Sequence, residues 1–322
     1  MDTEQKVAAG LIAARAVHFG ACLLALGVVA FDQFIAAPAL KGGSSNFAHH
    51  WRRSANRMFW LSLLFVLLSG VGWFALNAIT MSGLPPRAAL QPDVLKVVLT
   101  ETHFGRLWEL RDVLWIATVL AGGLLFERAR GFALLVLTLV LAGSLAWAGH
   151  GTEGNPSGWH LAADLVHLVI GALWPVGLLP FLVLLAKLRK WEGPERWDVI
   201  AAVTRRFSAT SLASVIVLTA TGLINSLYLV GSPAHLFTTD YGKALTTKLA
   251  IFLVMIALGA MNLLRWKPRL SAAPDERAAQ VAARLQRNVA IEIALGAIVV
   301  LVVGLLGLLP PAIDAITHHH HH

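Results

Sequence analysis

Apolar runs long enough to cross a bilayer recur eight times along this 322-residue chain. They lie near residues 8–37, 56–80, 104–126, 131–149, 159–187, 206–231, 243–266 and 288–310. A hydrocarbon core of ~30 Å takes ~20 apolar residues in a helix. Inside lipid every backbone N–H and C=O must be paired within the protein, so unbroken runs of this length read as α-helices. The expected fold is all-α, a polytopic membrane bundle of eight transmembrane helices, with residues 1–317 forming one domain. Composition agrees: only 14% of residues are charged, against roughly 25% in soluble domains. The first span lacks a basic lead followed by a small-residue cleavage site, so it reads as retained rather than as a signal peptide. The closing His318 to His322 look like a purification tag and carry no site argument.

Basic residues set the expected orientation. Of 26 Lys and Arg, 18 fall in alternate connections, after spans 1, 3, 5 and 7. They include Arg52, Arg53 and Arg57, then Arg128 and Arg130, then Lys187 to Arg206, then Arg265 to Arg287. The opposite side holds only Lys6, Arg87, Lys96, Arg106 and Lys243. The positive-inside rule then places both termini in the periplasm. The net charge of +8 is a topology signal that also favours anionic lipid headgroups. It does not point to nucleic acid. Tryptophans near the span ends, such as Trp60, Trp108, Trp159 and Trp197, form an aromatic belt. Residues 81–103 contain prolines and then turn amphipathic (Val94, Leu95, Val97, Val98, Leu99), which reads as a short interfacial helix, and 275–288 reads as an extension of the last span. No internal repeat is evident.

Function is sought where ionisable side chains enter the apolar spans. His160, Asp164 and His167 stand at i, i+4 and i+7, hence on one helical face. Ionisable groups in a membrane are costly and mark ion or substrate paths by default. At ~1.5 Å per residue His167 lies roughly 12 Å, and His18 roughly 15 Å, below the outer edge. The expected arrangement has two tiers: an outer mouth of His103, His150 and His160 with Glu101, and a deeper pair of His167 and His18 with Asp164 between them. Imidazole and carboxylate suit copper(II) or zinc, and imidazole also binds copper(I). Asp164 serves either as a ligand or as the partner that fixes a ligand's tautomer. A hydrogen-bond cluster is the structural alternative for the stripe, and an ion-pair network the alternative for Glu109, Arg111 and Asp112. Arg15, Asp32, Lys248 and Glu292 read as packing or topology locks. His49, His50 and His235 read as loop or interfacial residues. Cys22 is the one cysteine, so neither an internal disulfide nor a CxxC site is possible.

Several motifs carry a family likeness. They are Phe104-Gly105-Arg106-x-Trp108-x-x-Arg111, Asp164-x-x-His167 followed by Trp174, Thr221-Gly222-Leu223-Ile224-Asn225, Tyr241-Gly242-Lys243-x-Leu245-x-x-Lys248, and Asn288-Val289-Ala290-Ile291-Glu292 through Pro311. Together they resemble the CopD (PcoD) copper-resistance family, most closely over 206–311. The resemblance implies an eight-helix inner-membrane protein that handles copper ions, receives them from a periplasmic carrier of the CopC type, and moves them toward the cytoplasm. It carries ligand roles onto His18, His150, Asp164 and His167. Trp174-Pro175-Val176-Gly177 departs from the family's Gly-rich step and predicts a kink. No nucleotide-binding motif is present, so the chain reads as a transporter rather than an enzyme. Two alternatives share these residues. One is a bis-histidine haem b protein using His18 and His167. The other is a copper-binding scaffold that moves nothing.

Overall fold

A computed structural model of the chain describes residues 3–42, 45–148, 158–272 and 275–313. Among these residues there is no strand, and ten helices carry the architecture. They are α1 (Thr3–Phe31), α2 (Ser45–Ser82), α3 (Pro92–Glu101), α4 (His103–Leu124), α5 (Glu127–Gly143), α6 (Gly158–Leu173), α7 (Leu178–Lys190), α8 (Arg196–Val230), α9 (Asp240–Met261) and α10 (Asp275–Leu306). Seven helical segments among the described residues are long and apolar enough to cross a membrane, with α6 and α7 forming one of them. The segment predicted at 104–126 is α4. It matches α9 in length, at 22 residues, but carries Glu109, Arg111 and Asp112 in its first half. Many large apolar side chains face outward, including Leu64, Phe65 and Leu68 on α2 and Leu223 and Leu227 on α8. Such a surface suits lipid rather than water.

α1 is the most enclosed of the spans and packs against α2, α5, α6 and α10. Small residues allow the close approaches: a Cβ added at Gly27 would sit 2.7 Å from the Ala172 carbonyl oxygen, as expected where helix backbones meet in a membrane. At the basic end, Phe181 stacks on Phe207 and Phe31 packs tilted against both. There Trp51 donates from Nε1 to Asp32 Oδ1 at 2.7 Å, so Asp32 is the packing lock the sequence suggests. The amphipathic segment forms α3 as expected, and α10 begins well before its apolar stretch.

The predicted kink is present between α6 and α7. Pro175 has no N–H to donate, and the Val176 N–H reaches back five residues to the Gly171 carbonyl, at 3.3 Å. Two π-helical turns, Asp32–Ala36 and Asn262–Trp266, interrupt other spans. Such turns frequently mark functional positions. Gly231, with φ +71°, ends α8 in a tight turn in which the Ser232 N–H donates to Val230 O at 2.8 Å, a positive φ that glycine adopts without a Cβ penalty.

The structure contains a repeat that the sequence reading misses. α1, α2, α4 and α5 correspond in order to α6–α7, α8, α9 and α10. α1 packs on α2 as α6 packs on α8, and α4 packs on α5 as α9 packs on α10. The match reaches single atoms. Thr102 caps α4 by accepting from Gly105 N at 2.9 Å and donating to Val98 O at 2.6 Å. Thr239 caps α9 by accepting from Gly242 N at 3.0 Å and donating to His235 O at 2.8 Å. Beyond each cap run Phe104-Gly-Arg-x-Trp-x-x-Arg111 and Tyr241-Gly-Lys-x-Leu-x-x-Lys248. α1 and α6 share Ala-Ala-x-x-Val-His, ending at His18 and His167. Identity between the halves is confined to a few positions per helix, which hides the period.

Candidate functional site

Each half holds one histidine in the same setting. His18 Nδ1 lies 3.1 Å from both Ser69 Oγ and Val66 O. The Ser69 hydroxyl proton goes to Phe65 O at 2.5 Å, so Oγ accepts and His18 carries its proton on Nδ1. His167 Nδ1 lies 2.9 Å from Thr221 Oγ1. The Thr221 proton goes to Val217 O at 2.8 Å, so the same tautomer follows. A glycine beside each hydroxyl makes room for the ring. A Cβ at Gly70 would stand 3.2 Å from His18 Cε1, and one at Gly222 would stand 3.4 Å from His167 Cε1.

The halves part at Nε2. In the first half Arg111 Nη2 meets His18 Nε2 at 2.7 Å and so takes the lone pair. Arg111 also donates to Leu141 O at 3.1 Å, to Ser144 Oγ and to Cys22 Sγ at 3.3 Å. Trp73 and Trp108 close over the ring, with centroids at 5.4 and 5.5 Å. His18 is 3% exposed and both its nitrogens are engaged, so it is a fixed part of the packing. In the second half, Lys248 replaces Arg111. Its charge acts on His167 and Asp164, yet no described hydrogen bond claims His167 Nε2. The lone pair is available to a ligand.

Other polar groups stand one turn along α6 and α8 from the His167–Thr221 pair. Asp164 takes the place of Arg15 and accepts from Asn225 Nδ2 at 3.3 Å. Asn225 Oδ1 is buried without a hydrogen-bond partner. His160 stacks on Tyr228 at 5.1 Å and is electrostatically coupled to Asp164, as is Tyr241. The site therefore draws on three helices: α6 (His160, Asp164, His167), α8 (Thr221, Asn225, Tyr228) and α9 (Tyr241, Lys248). An imidazole lone pair, a carboxylate and an amide oxygen together can hold a borderline cation.

The predicted site residues fare differently. His160, Asp164 and His167 come together as one face. His18 lies in the other half, bonded to α2 and α4, so the deep pair does not form. The bis-histidine haem arrangement does not fit these residues: Arg111 holds one Nε2, and the two rings belong to different four-helix groups. Glu101 and His103 are exposed at the α3–α4 junction, on either side of the capping Thr102. His150 lies outside the described residues. Among those residues, no three His, Cys, Asp or Glu side chains form a ready metal site. Sequence reading missed Thr221, Asn225, Tyr228 and Lys248 as companions of the stripe. The signal was the spacing shared by the motifs ending at Arg111 and Lys248.

Fold and site define a multi-pass helical membrane protein of two similar halves, each with one histidine on its first helix, buried at His18 and half-buried at His167. The chain belongs to the copper resistance protein D family. The family described as Copper resistance protein D matches residues 201–306, and that described as Copper resistance protein D-like, N-terminal domain matches residues 3–162. Asp164 and His167 fall between the two matched regions. Among its relatives, Copper transport protein CutJ of Bacillus subtilis (strain 168) is 28% identical over 273 residues, which is 79% of this chain and 46% of that protein. Copper resistance protein D of Pseudomonas syringae pv. tomato is 28% identical over 260 residues, 79% of this chain and 83% of that protein. Inner membrane protein YebZ of Escherichia coli (strain K12) is 28% identical over 305 residues, 93% of this chain and 98% of that protein. This chain thus spans about half the length of the Bacillus relative. No solved structure matches it.

Proposed function

We propose that the protein transports copper ions across the bacterial inner membrane, with no enzymatic step of its own. Copper is taken up at the site between α6, α8 and α9 and passed toward the cytoplasm. The observation that carries this reading is the unclaimed Nε2 of His167, held in a fixed tautomer by the Thr221 hydroxyl. A hydroxyl that accepts from the other ring nitrogen orients a metal-binding imidazole and raises its basicity. Asp164 supplies negative charge one turn away, and His160 with Asn225 Oδ1 offers further donors. Lys248 holds the site electrostatically in the absence of metal and is displaced as the ion enters.

The topology in this reading is eight spans with both termini periplasmic. The repeat supports it: α4 occupies the place of α9, and four spans per half give both halves one orientation, as in transporters built from parallel repeats. The basic ends of the helices then face the cytoplasm. Glu101 and His103, both exposed, lie on the periplasmic side in this reading, where a carrier of the CopC type would deliver the ion.

The test is copper binding by the purified protein, followed by uptake into proteoliposomes. His167→Ala is expected to lose bound copper and uptake while His18→Ala retains bound copper. Equal copper content in wild type and His167→Ala would overturn the assignment. Binding without uptake would leave the scaffold reading.

A further inference from the structure

A second polar enclosure lies toward the basic end, away from the histidine site. Glu292 on α10 is 1% exposed. Its Oε1 accepts from Asn262 Nδ2 at 2.7 Å, and Asn262 Oδ1 accepts from Asn288 Nδ2 at 2.9 Å. Asn262 opens the π-helical turn at the end of α9. Beside the carboxyl is a cavity of about 130 Å³ whose walls include Trp174, Phe181, Thr204, Phe207 and Ser211. Thr204 Oγ1 and Ser211 Oγ are buried there without hydrogen-bond partners, and Thr204 is 3% exposed. Unpaired hydroxyls of this kind cost free energy unless something occupies the space.

The charges facing Glu292 decide the occupant. Among the described lining residues, α8 presents hydroxyls and apolar groups, α9 and its π turn present Asn262 and small or aliphatic groups, and α7 and α10 present aromatic and aliphatic ones. α1 is apolar from Leu23 to Phe31. Arg205 and Arg206 flank Thr204 in sequence but are exposed and line no part of the cavity. A carboxylate in this enclosure would stand without a counter-charge, which membrane interiors penalise strongly. The two orphan hydroxyls, the Glu292 carboxyl and the Asn262 amide provide no imidazole or sulfur donor for copper. They do suit a carboxylic acid that donates its O–H to a hydroxyl or to a water in the cavity.

We propose that Glu292 is a proton-binding site that loads from the cytoplasmic side through this cavity and couples proton movement to copper movement. The coupling rests on the transport reading; proton binding itself does not. The transfer is simple: a hydronium proton adds to a carboxylate oxygen, giving a neutral acid, and leaves by the reverse step.

Dicyclohexylcarbodiimide attacks protonated carboxyl groups in apolar surroundings. Wild-type protein in lipid nanodiscs, treated with it and mapped by mass spectrometry, should be modified at Glu292, faster as pH falls. Infrared spectra should contain a carboxylic acid C=O band that Glu292→Gln removes and Asp164→Asn keeps. In proteoliposomes, Glu292→Gln should bind copper at wild-type stoichiometry yet lose uptake and accompanying proton flux by about tenfold or more, with Glu292→Asp recovering part of both. Absence of both Glu292 modification and the band would overturn proton binding. Uptake and proton flux unchanged in Glu292→Gln would overturn the coupling. If wild-type protein binds no copper, the transport reading fails, and the labelling and infrared results still decide the proton site.

Discussion

The two halves of this molecule hold the same histidine by the same contacts and differ in what stands at its far nitrogen. Around His18 the position is filled by Arg111, whose guanidinium bonds to four neutral groups at once. Around His167 the equivalent cation is Lys248, a single ammonium on a flexible stem, and a carboxylate replaces Arg15. Arginine's planar fork suits a permanent structural role, whereas a lysine ammonium is a compact and movable charge. One duplicated framework has thus yielded a locked site and an open one. The lesson is that a buried histidine in a membrane span is not by itself a ligand; its second nitrogen must be traced first.

The largest effect expected from this comparison is its reversal. His167→Ala should abolish copper binding measured by equilibrium dialysis, with little change in melting temperature. His18→Ala should keep copper but lose stability by about 1–3 kcal/mol, since Arg111 would be left with an unmet donor in the interior. Next is the hydroxyl pair. Thr221→Val should weaken copper binding by roughly 10–100-fold by releasing the His167 tautomer, whereas Ser69→Ala should leave it unchanged. A smaller effect is expected from the cation. Lys248→Met removes a charge that opposes the incoming ion, so copper affinity should rise by a few fold, each factor of ten being about 1.4 kcal/mol. Arg111→Met should instead lower the melting temperature. Smallest is Gly222→Ala, whose Cβ would stand 3.4 Å from His167 Cε1. A change of less than about 1 kcal/mol in copper binding is expected if the ring gives way slightly.

Much of the fold was legible because hydrophobic length is a strong signal. The apolar runs located the seven described segments long and apolar enough to cross a membrane, Pro175 announced the break after α6, and the stripe His160, Asp164 and His167 pointed to α6 as the helix of the candidate site. What stayed hidden were relations between helices. Spacing along α1 could place His18 at a suitable depth but could not show that its ring turns into the first half toward Arg111. The companions on α8 and α9 are Thr, Asn, Tyr and Lys, residue types that advertise no metal chemistry by themselves. Their role emerges only from distance. The repeat was missed for a related reason: lipid tolerates almost any apolar side chain, so only the few polar contacts are held in common.

The break at Trp174–Gly177 divides one span into two arms. The first arm bears His167, and Trp174, at the joint itself, forms part of the wall around Glu292. An unbroken rod would have to move as a single piece, shifting His167 and the wall around Glu292 together. A jointed one frees the arm that bears His167 from the arm whose Phe181 packs against Phe31 and Phe207.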